Sequence, residues 1–304
     1  MGAAQRTAAA MDVGAVFPQW AFGTDASEIR DYAQGIEGLG YDYLIAYDHV
    51  LGVEATRWDA PAGGGFERPP YTADDRFTEV LTLFSFLSAH TTSLTLATSV
   101  VVLPQRQTAL VAKQAAAIDI FSGGRLRLGV GVGWNHYEYE GMGMPFGRNG
   151  AMLEDQIAVL RALWSQTLVD HESDRHTLVG TGINPLPEHR IPIWVGSNNG
   201  DVALRRTAAL ADGWMALLMP DQSVAEAVGR LRGFLEEEGR DPATFPIEAR
   251  IMQPVGEPGP WLDQVGELET LGITHLVVFS MDHTTSAGWW IDYCGRIKDL
   301  LRRR

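Results

Sequence analysis

Residues 125–135 read RLRLGVGVGWN, an apolar run punctuated by glycines at 129, 131 and 133. Glycines at that density belong either to a dinucleotide-binding turn or to the end of a buried strand, and the two readings lead to different folds. The dinucleotide fingerprint is G-x-G-x-x-G. A register starting at Gly129 needs glycine at 134, where the chain has Trp134, and one starting at Gly131 needs it at 136, where the chain has His136. A Trp at the third position would block the close helix–strand packing that glycine permits. The phosphate-loop pattern fails too, because no Gly-Lys-Ser or Gly-Lys-Thr follows. What remains is a strand ending at Gly131, Gly133, Trp134 and Asn135, where the backbone either approaches a ligand closely or turns tightly through positive φ.

Working outward, short apolar runs alternate with segments of helical period along the chain. VGAVF (13–17) precedes a helix over 27–39, with Asp25 or Ser27 as its cap and Gly40 as its stop. YLIAY (43–47) is followed, after a long loop, by a helix over 77–89, and LTLATSVVV (94–102) by one over 109–121. RLRLGVG (125–131) leads to a helix over 152–164, IWVG (193–196) to 201–210 and GWMALL (213–218) to 224–238. IEARIMQPV (247–255) pairs with 261–271 and HLVVFS (275–280) with 290–301. Eight strand–helix units, rich in β-branched residues that suit a sheet buried on both faces, predict a single α/β domain over 11–304, a (β/α)8 TIM barrel. A doubly wound open sheet also alternates strand and helix but generally needs fewer strands.

With 45% hydrophobic and 20% charged residues the 304-residue chain has the composition of a soluble globule. Its net charge of −14 repels a phosphate backbone, so nucleic acid is not an expected partner. The one cysteine, Cys294, allows neither an internal disulfide nor a multi-cysteine metal site, which points to a reducing cytoplasm. Residues 1–10 lack the apolar region of a signal peptide and read as a disordered terminus. No window approaches the roughly 18 uninterrupted apolar residues of a membrane span.

In a barrel of this type active sites lie at the C-terminal ends of the strands. That rule gathers Gln19 and Trp20 after the first strand, Asp48 and His49 after the second, and Thr98 and Ser99 in the third. Asn135 and His136 follow the fourth, Ser197 and Asn198 the fifth, and Asp282 and His283 the eighth. His49 is the best acid or base, because imidazole titrates near neutrality, and Asp48 beside it can tune the site. His283 lies in HTTSAG, which reads as an exposed loop. VGSNNGDVALRR (195–206) sets Gly196, Ser197 and Asn198 before a helix start, where free N–H groups and the helix dipole suit a phosphate. Two connections, 48–76 and 166–192, are long enough for lids, binding loops or disorder, and the first follows strand 2 at the mouth. A metal on Asp48, His49, Asp282 and His283 is the rival chemistry. Metal-dependent barrel hydrolases have a His-x-His pair ending strand 1; FPQW (17–20) has no histidine, so no metal is expected.

The motifs YDYLIAYDHV (41–50), LATSVVVLPQRQTALVAKQAAAIDIFSGGRLRLGVGVGW (96–134) and IPIWVGSNNGDVALRRTAALADGWM (191–215) give the chain a resemblance to the luciferase-like oxidoreductases, and within them to the branch using the deazaflavin coenzyme F420. The resemblance implies a barrel holding a flavin-like ring at its C-terminal mouth, in a homodimer. It places Asp48 and His49 beside the ring, a cis Ser99–Val100 peptide behind it, Gly133, Trp134 and Asn135 at its floor, and the phosphate on the backbone of Gly196, Ser197 and Asn198. Two positions depart from the branch: sugar-phosphate dehydrogenases carry a glutamate where this chain has Trp134, and the phosphate loop reads GSNNG instead of the commoner double-glycine form. The expected activity is hydride transfer between the deazaflavin C5 and a small organic substrate under a lid of residues 50–76. His49 handles the proton, and Trp20, Trp58 and Trp134 wall the substrate pocket. The alternatives are an FMN-dependent monooxygenase, a metal-dependent hydrolase and a non-catalytic cofactor carrier.

Overall fold

Each apolar run forms a strand because its residues are covered on both faces, by the barrel interior and by the outer helices. In the computed structural model, described over residues 11–22, 24–59, 66–217, 223–253, 261–284 and 286–304, the barrel strands are all parallel in one closed sheet. They are β1 (Asp12–Val16), β2 (Tyr43–Ala46), β3 (Thr95–Thr98) with its continuation β4 (Val101–Val102), and β5 (Leu126–Gly131). After a two-stranded antiparallel hairpin, β6 (Val169–Glu172) and β7 (Thr177–Thr181), come β8 (Ile193–Ser197), β9 (Gly213–Ala216), β10 (Ile247–Met252) and β11 (His275–Phe279). β1 lies between β2 and β11, and pairing of β3 and β4 with β5 closes the ring. With β3 and β4 counted as one interrupted strand, eight strands make the expected TIM barrel.

The helices are α1 (Ala26–Gly38), α2 (Val80–Ser88), α3 (Thr108–Ser122), α4 (His136–Gly141), α5 (Asn149–Ser165), α6 (Asp201–Leu210), α7 (Val224–Glu237), α8 (Trp261–Thr270) and α9 (Ala287–Arg302). α1 shows how the sequence specifies them. Asp25 caps it by accepting from the N–H groups of Ser27 and Glu28, and Ile29, Tyr32, Ala33 and Ile36 recur at helical spacing on its buried face. Gly40, at φ +75°, turns the chain out of it.

Several expectations change. The helix predicted from 77 starts at Val80, because the Glu79 carboxylate caps it, accepting from the N–H groups of Leu81 and Thr82. The strand predicted over 94–102 is broken at the cis Ser99–Val100 peptide. The connection 166–192 contains the β6–β7 hairpin, and the one after β5 contains α4. The predicted disordered segment 1–10, the PAGGG run (61–65) and positions 218, 254 and 255 of two predicted strands lie outside the described residues.

The barrel interior is not wholly apolar. Arg127 on β5 and Glu248 on β10 meet at 3.1 Å, and Arg250, two residues on, returns to Glu248 at 2.9 Å. The Arg127 guanidinium is sandwiched between the rings of Tyr43 and Trp194, 4.2 and 4.3 Å from their centroids.

Candidate active site

The glycines of RLRLGVGVGWN admit the irregular end of the neighbouring strand. A Cβ on Gly131 would lie 2.6 Å from Val100 Cγ2, and one on Gly196 of β8 would lie 2.5 Å from Val100 Cγ1. Val100 thus inserts between two strands that carry no side chain at the contact. Gly133 takes φ +65°, and a Cβ there would also meet Val102 at 2.6 Å. The result is a floor at the barrel mouth formed by backbone and by the Ser99–Val100 bulge.

Asp48 is buried and fully engaged. Arg106 holds it bidentately, Nη2 to Oδ1 at 2.5 Å and Nε to Oδ2 at 3.1 Å, and the Val102 N–H donates to Oδ2 at 3.1 Å. Arg106 also reaches Glu79 at 3.0 Å. Burial pushes the Arg106 guanidinium down, but Asp48 and Glu79 outweigh it and its pKa lies above the ordinary value. Both Asp48 oxygens therefore face Arg106 and Val102, tying the end of β2 to β4.

His49 lies under the lid. Its ring packs on Tyr71, with centroids 3.7 Å apart, and edge-on to Phe77 at 5.0 Å and Trp134 at 6.3 Å. Nδ1 faces Glu138 Oε2 at 3.5 Å. The other oxygen of Glu138 accepts from the N–H groups of Val50 and Leu51, at 2.7 and 3.1 Å. Burial alone would raise the Glu138 carboxyl, yet His49, Tyr71 and the Leu51 N–H bring it below the ordinary value. Asn135 sets this up from the strand end: its Oδ1 caps α4 at the Tyr137 N–H, 3.0 Å, and its Nδ2 donates to Tyr71 Oη at 2.6 Å.

Sequence reasoning missed Glu138. The one signal is the spacing Asn135-x-x-Glu138, which reads as a capping box, an interaction within one helix. Here the glutamate points away from its own cap and onto the start of the lid. Arg106, Glu79 and Tyr71 were missed as well, because nothing local distinguishes them from surface or packing residues.

The lid closes over this pair with aromatic contacts. Trp58 and Phe66 meet Trp134 with centroids 5.8 and 5.0 Å apart, and the Trp58 Nε1–H donates to the Phe66 carbonyl. Tyr137 Oη donates to the Arg57 carbonyl at 2.8 Å, fastening the lid to α4. A cavity of about 430 Å³ opens beside Trp58, bounded by Ala55, Glu67, Arg68, Pro69 and Thr72. Trp20 differs: it is 8% exposed, bonds the Asp282 carbonyl at 2.8 Å and packs between Tyr47 and Trp290. It supports the wall more than it lines it.

On the opposite rim Ser197 Oγ accepts from Trp214 Nε1–H at 3.0 Å, and Asn198 Oδ1 from the Gly200 N–H at 3.1 Å. Gly200 caps α6 without a side-chain acceptor, and its carbonyl accepts from the N–H groups of Ala203 and Leu204, both at 2.9 Å. Asp201 in that first turn is neutralised by Arg230 at 2.6 Å. Asp48, His49, Asp282 and His283 do not form one cluster: Asp48 is held by Arg106, the Asp282 side chain accepts from the Thr284 N–H, and His283 is exposed. Among the described residues no three His, Cys, Asp or Glu side chains are placed to hold a metal ion. Among the described residues, too, no helix is long and apolar enough to cross a membrane.

A second cavity, about 240 Å³, lies at the other end of the barrel beside Arg127, Trp194 and His275, where burial and then Arg127 push the His275 imidazole down to about 3. In barrels of this type that end serves stability and not chemistry.

This geometry can be set beside known proteins. The uncharacterized protein Rv0940c of Mycobacterium tuberculosis is 34% identical over 263 residues, covering 84% of this chain and 85% of the relative. Among solved structures, an F420-dependent secondary alcohol dehydrogenase in complex with an F420–acetone adduct superposes with a TM-score of 0.73 at 14% identity, covering 94% of this chain and 98% of the other. Riboflavin lyase (RcaE), with modified FMN and riboflavin, superposes at 0.75 with 15% identity, covering 97% and 92%. At such identities the likeness shows the fold alone. The profile of the luciferase-like monooxygenases matches residues 5–258, spanning the lid, the bulge, the glycine floor and the α6 start, and the chain belongs to that family.

Proposed function

We propose that the protein is a deazaflavin (coenzyme F420)-dependent oxidoreductase that moves a hydride between the cofactor C5 and a small organic substrate. The observation that carries this reading is the His49–Glu138 pair under an aromatic lid, beside a floor where Gly131, Gly133 and Gly196 seat the side chains of Val100 and Val102. Hydride transfer to a carbonyl, or from an alcohol, needs a proton donor or acceptor at the substrate oxygen. With Nδ1 facing Glu138, His49 exchanges that proton at Nε2, and Trp58, Phe66, Tyr71 and Trp134 exclude water around it.

The residues present suit such a cofactor. The Ser99–Val100 bulge, with Val100 seated against Gly131 and Gly196, offers an apolar surface to a planar ring, and the start of α6, which no side chain caps, offers N–H groups to a phosphate. Gln105, just past β4, buries its Nε2 among the described residues without an acceptor. When bound, the deazaflavin would supply the two-electron chemistry that no side chain here provides. The second reading is an FMN-dependent monooxygenase on the same floor, favoured by the family's name and by the likeness to an FMN-containing lyase. Titrating the purified chain with each cofactor separates the two. Tight binding of F420, with weak binding of FMN, is expected; the reverse order would overturn the choice.

A further inference from the structure

Three charged side chains in the barrel interior take no part in the reading above. Glu248 is fully buried and Arg127 nearly so, while Arg250 keeps 11% of its side chain exposed. Arg127 and Arg250 face different oxygens of the one carboxylate, at 3.1 and 2.9 Å. Two guanidinium groups share the one Glu248 carboxylate, and Asp12 acts on Arg127 from the far end, so the excess positive charge lies at Arg250, in a region where charges interact far more strongly than in water. Arg127 sits toward the closed end, between the rings of Tyr43 and Trp194. Arg250 faces the mouth: its Nη2 also donates to Ser99 Oγ, on the residue whose peptide forms the bulge. Because Ser99 Oγ accepts from Arg250, its own proton is directed elsewhere. The carboxylates of the mouth are engaged in other places: Asp48 by Arg106, Glu79 as the cap of α2 and with Arg106, and Glu138 by Val50, Leu51 and His49.

We infer that Arg250, acting directly and through Ser99 Oγ, is the electrostatic floor of the cofactor site and favours the reduced, anionic form of the ring. The inference rests on the flavin-type reading above. Accepting a hydride adds two electrons and one negative charge to such a ring, while the donor is oxidised by two electrons. Until a proton follows, the charge is concentrated on the pyrimidine-dione half, and a fixed positive charge behind the ring stabilises it. The oxidised ring gains less from the same charge.

The test compares binding of oxidised and dithionite-reduced cofactor under anaerobic conditions. F420 and FMN are each titrated into the full chain and into Arg250→Met, Arg250→Lys and Ser99→Ala. Arg250→Met is expected to lose at least about tenfold more affinity for the reduced than for the oxidised form. By the thermodynamic cycle, the two-electron potential of the bound cofactor then falls by about 30 mV. Arg250→Lys keeps the charge and most of the preference, and Ser99→Ala loses part of it. Equal losses for the two forms would assign Arg250 to packing alone and overturn the inference while leaving the proposed function standing. Failure of the unaltered chain to bind either cofactor would overturn both. If Arg250→Met does not fold, Ser99→Ala leaves the Arg127–Glu248–Arg250 chain intact, and an unchanged reduced-to-oxidised ratio in it is the overturning result.

Discussion

Glu138 connects chemistry to lid position through one carboxylate, since one oxygen faces His49 and the other fixes the first two amides of the lid. Its two functions separate by substitution. Glu138→Gln keeps an oxygen for the Val50 and Leu51 N–H groups but removes the charge facing His49, so kcat should fall about tenfold or more with little change in Tm. Glu138→Ala also removes the acceptor of two half-buried hydrogen bonds and should cost about 1 kcal/mol, read by thermal or urea unfolding. His49→Ala should slow turnover by about 100-fold or more while cofactor affinity, followed by fluorescence titration, stays within a few-fold. Unchanged turnover would remove His49 from the mechanism. These roles were legible to different degrees. His49 stood out because imidazole is rare and sits at a strand end, whereas Glu138 is one of 38 acidic residues and is marked only by a spacing that suggests helix capping.

At the scale of elements, β3, β5 and β8 are fitted to one another by absence of side chains. Gly131→Ala places a methyl 2.6 Å from Val100 Cγ2, where neither strand has room to retreat within a closed sheet. The expected cost is about 1–3 kcal/mol of stability, with weaker binding of any ring lying on the bulge. Unfolding and cofactor titration on the same preparation check both, and a variant as stable and as tight-binding as the parent would show that the floor adapts. α4 and the lid form a second unit, joined by Tyr137 to Arg57 and by Trp134 to Trp58 and Phe66. The sequence marked 48–76 by its length as a lid, a binding loop or disorder, but its docking partner α4 is six residues long and was read as part of a connection.

Over the whole molecule, buried charge is distributed unevenly, and acid should expose this. Glu37, Glu79, Glu138 and Asp155 all have carboxyls held below their ordinary values. Burial opposes the shift in each, and donors such as the Thr92 to Leu94 N–H groups, Thr82, His49 and His176 outweigh it. A depressed carboxyl contributes stability that is complete above its unfolded value, 4.5 for Glu, and is lost as pH falls through the lower folded value. Asp48 and Asp12 run the other way, because burial raises the one despite Arg106 and the other despite Arg127. Tm should therefore decline as pH drops below about 4.5, from the summed excess of lowered carboxyls over the two raised ones. A flat Tm down to pH 3 would contradict this. Glu248→Gln leaves both interior guanidinium groups without their counter-charge and should cost about 3–5 kcal/mol, measured at neutral pH by denaturant unfolding.

Sequence alone determined the barrel. Strand and helix signals are carried by periodicities within runs of a few residues, and eight such units close in only a few ways, so RLRLGVGVGWN could be assigned to a strand end by excluding the nucleotide patterns. Sequence also placed His49 and the α6 start at the mouth, because the C-terminal end of a strand is a local coordinate. The tertiary structure alone decided what those residues touch. Asp48 meets Arg106 58 positions away, Val50 meets Glu138 at 88, Glu248 meets Arg127 at 121 and Ser99 meets Arg250 at 151. Such pairs follow from the register and curvature of a closed sheet, which no local pattern encodes. The glycines at 131 and 133 show the division: their strand is written in their own neighbourhood, and their purpose, making room for Val100 and Val102, is set by the strand beside them.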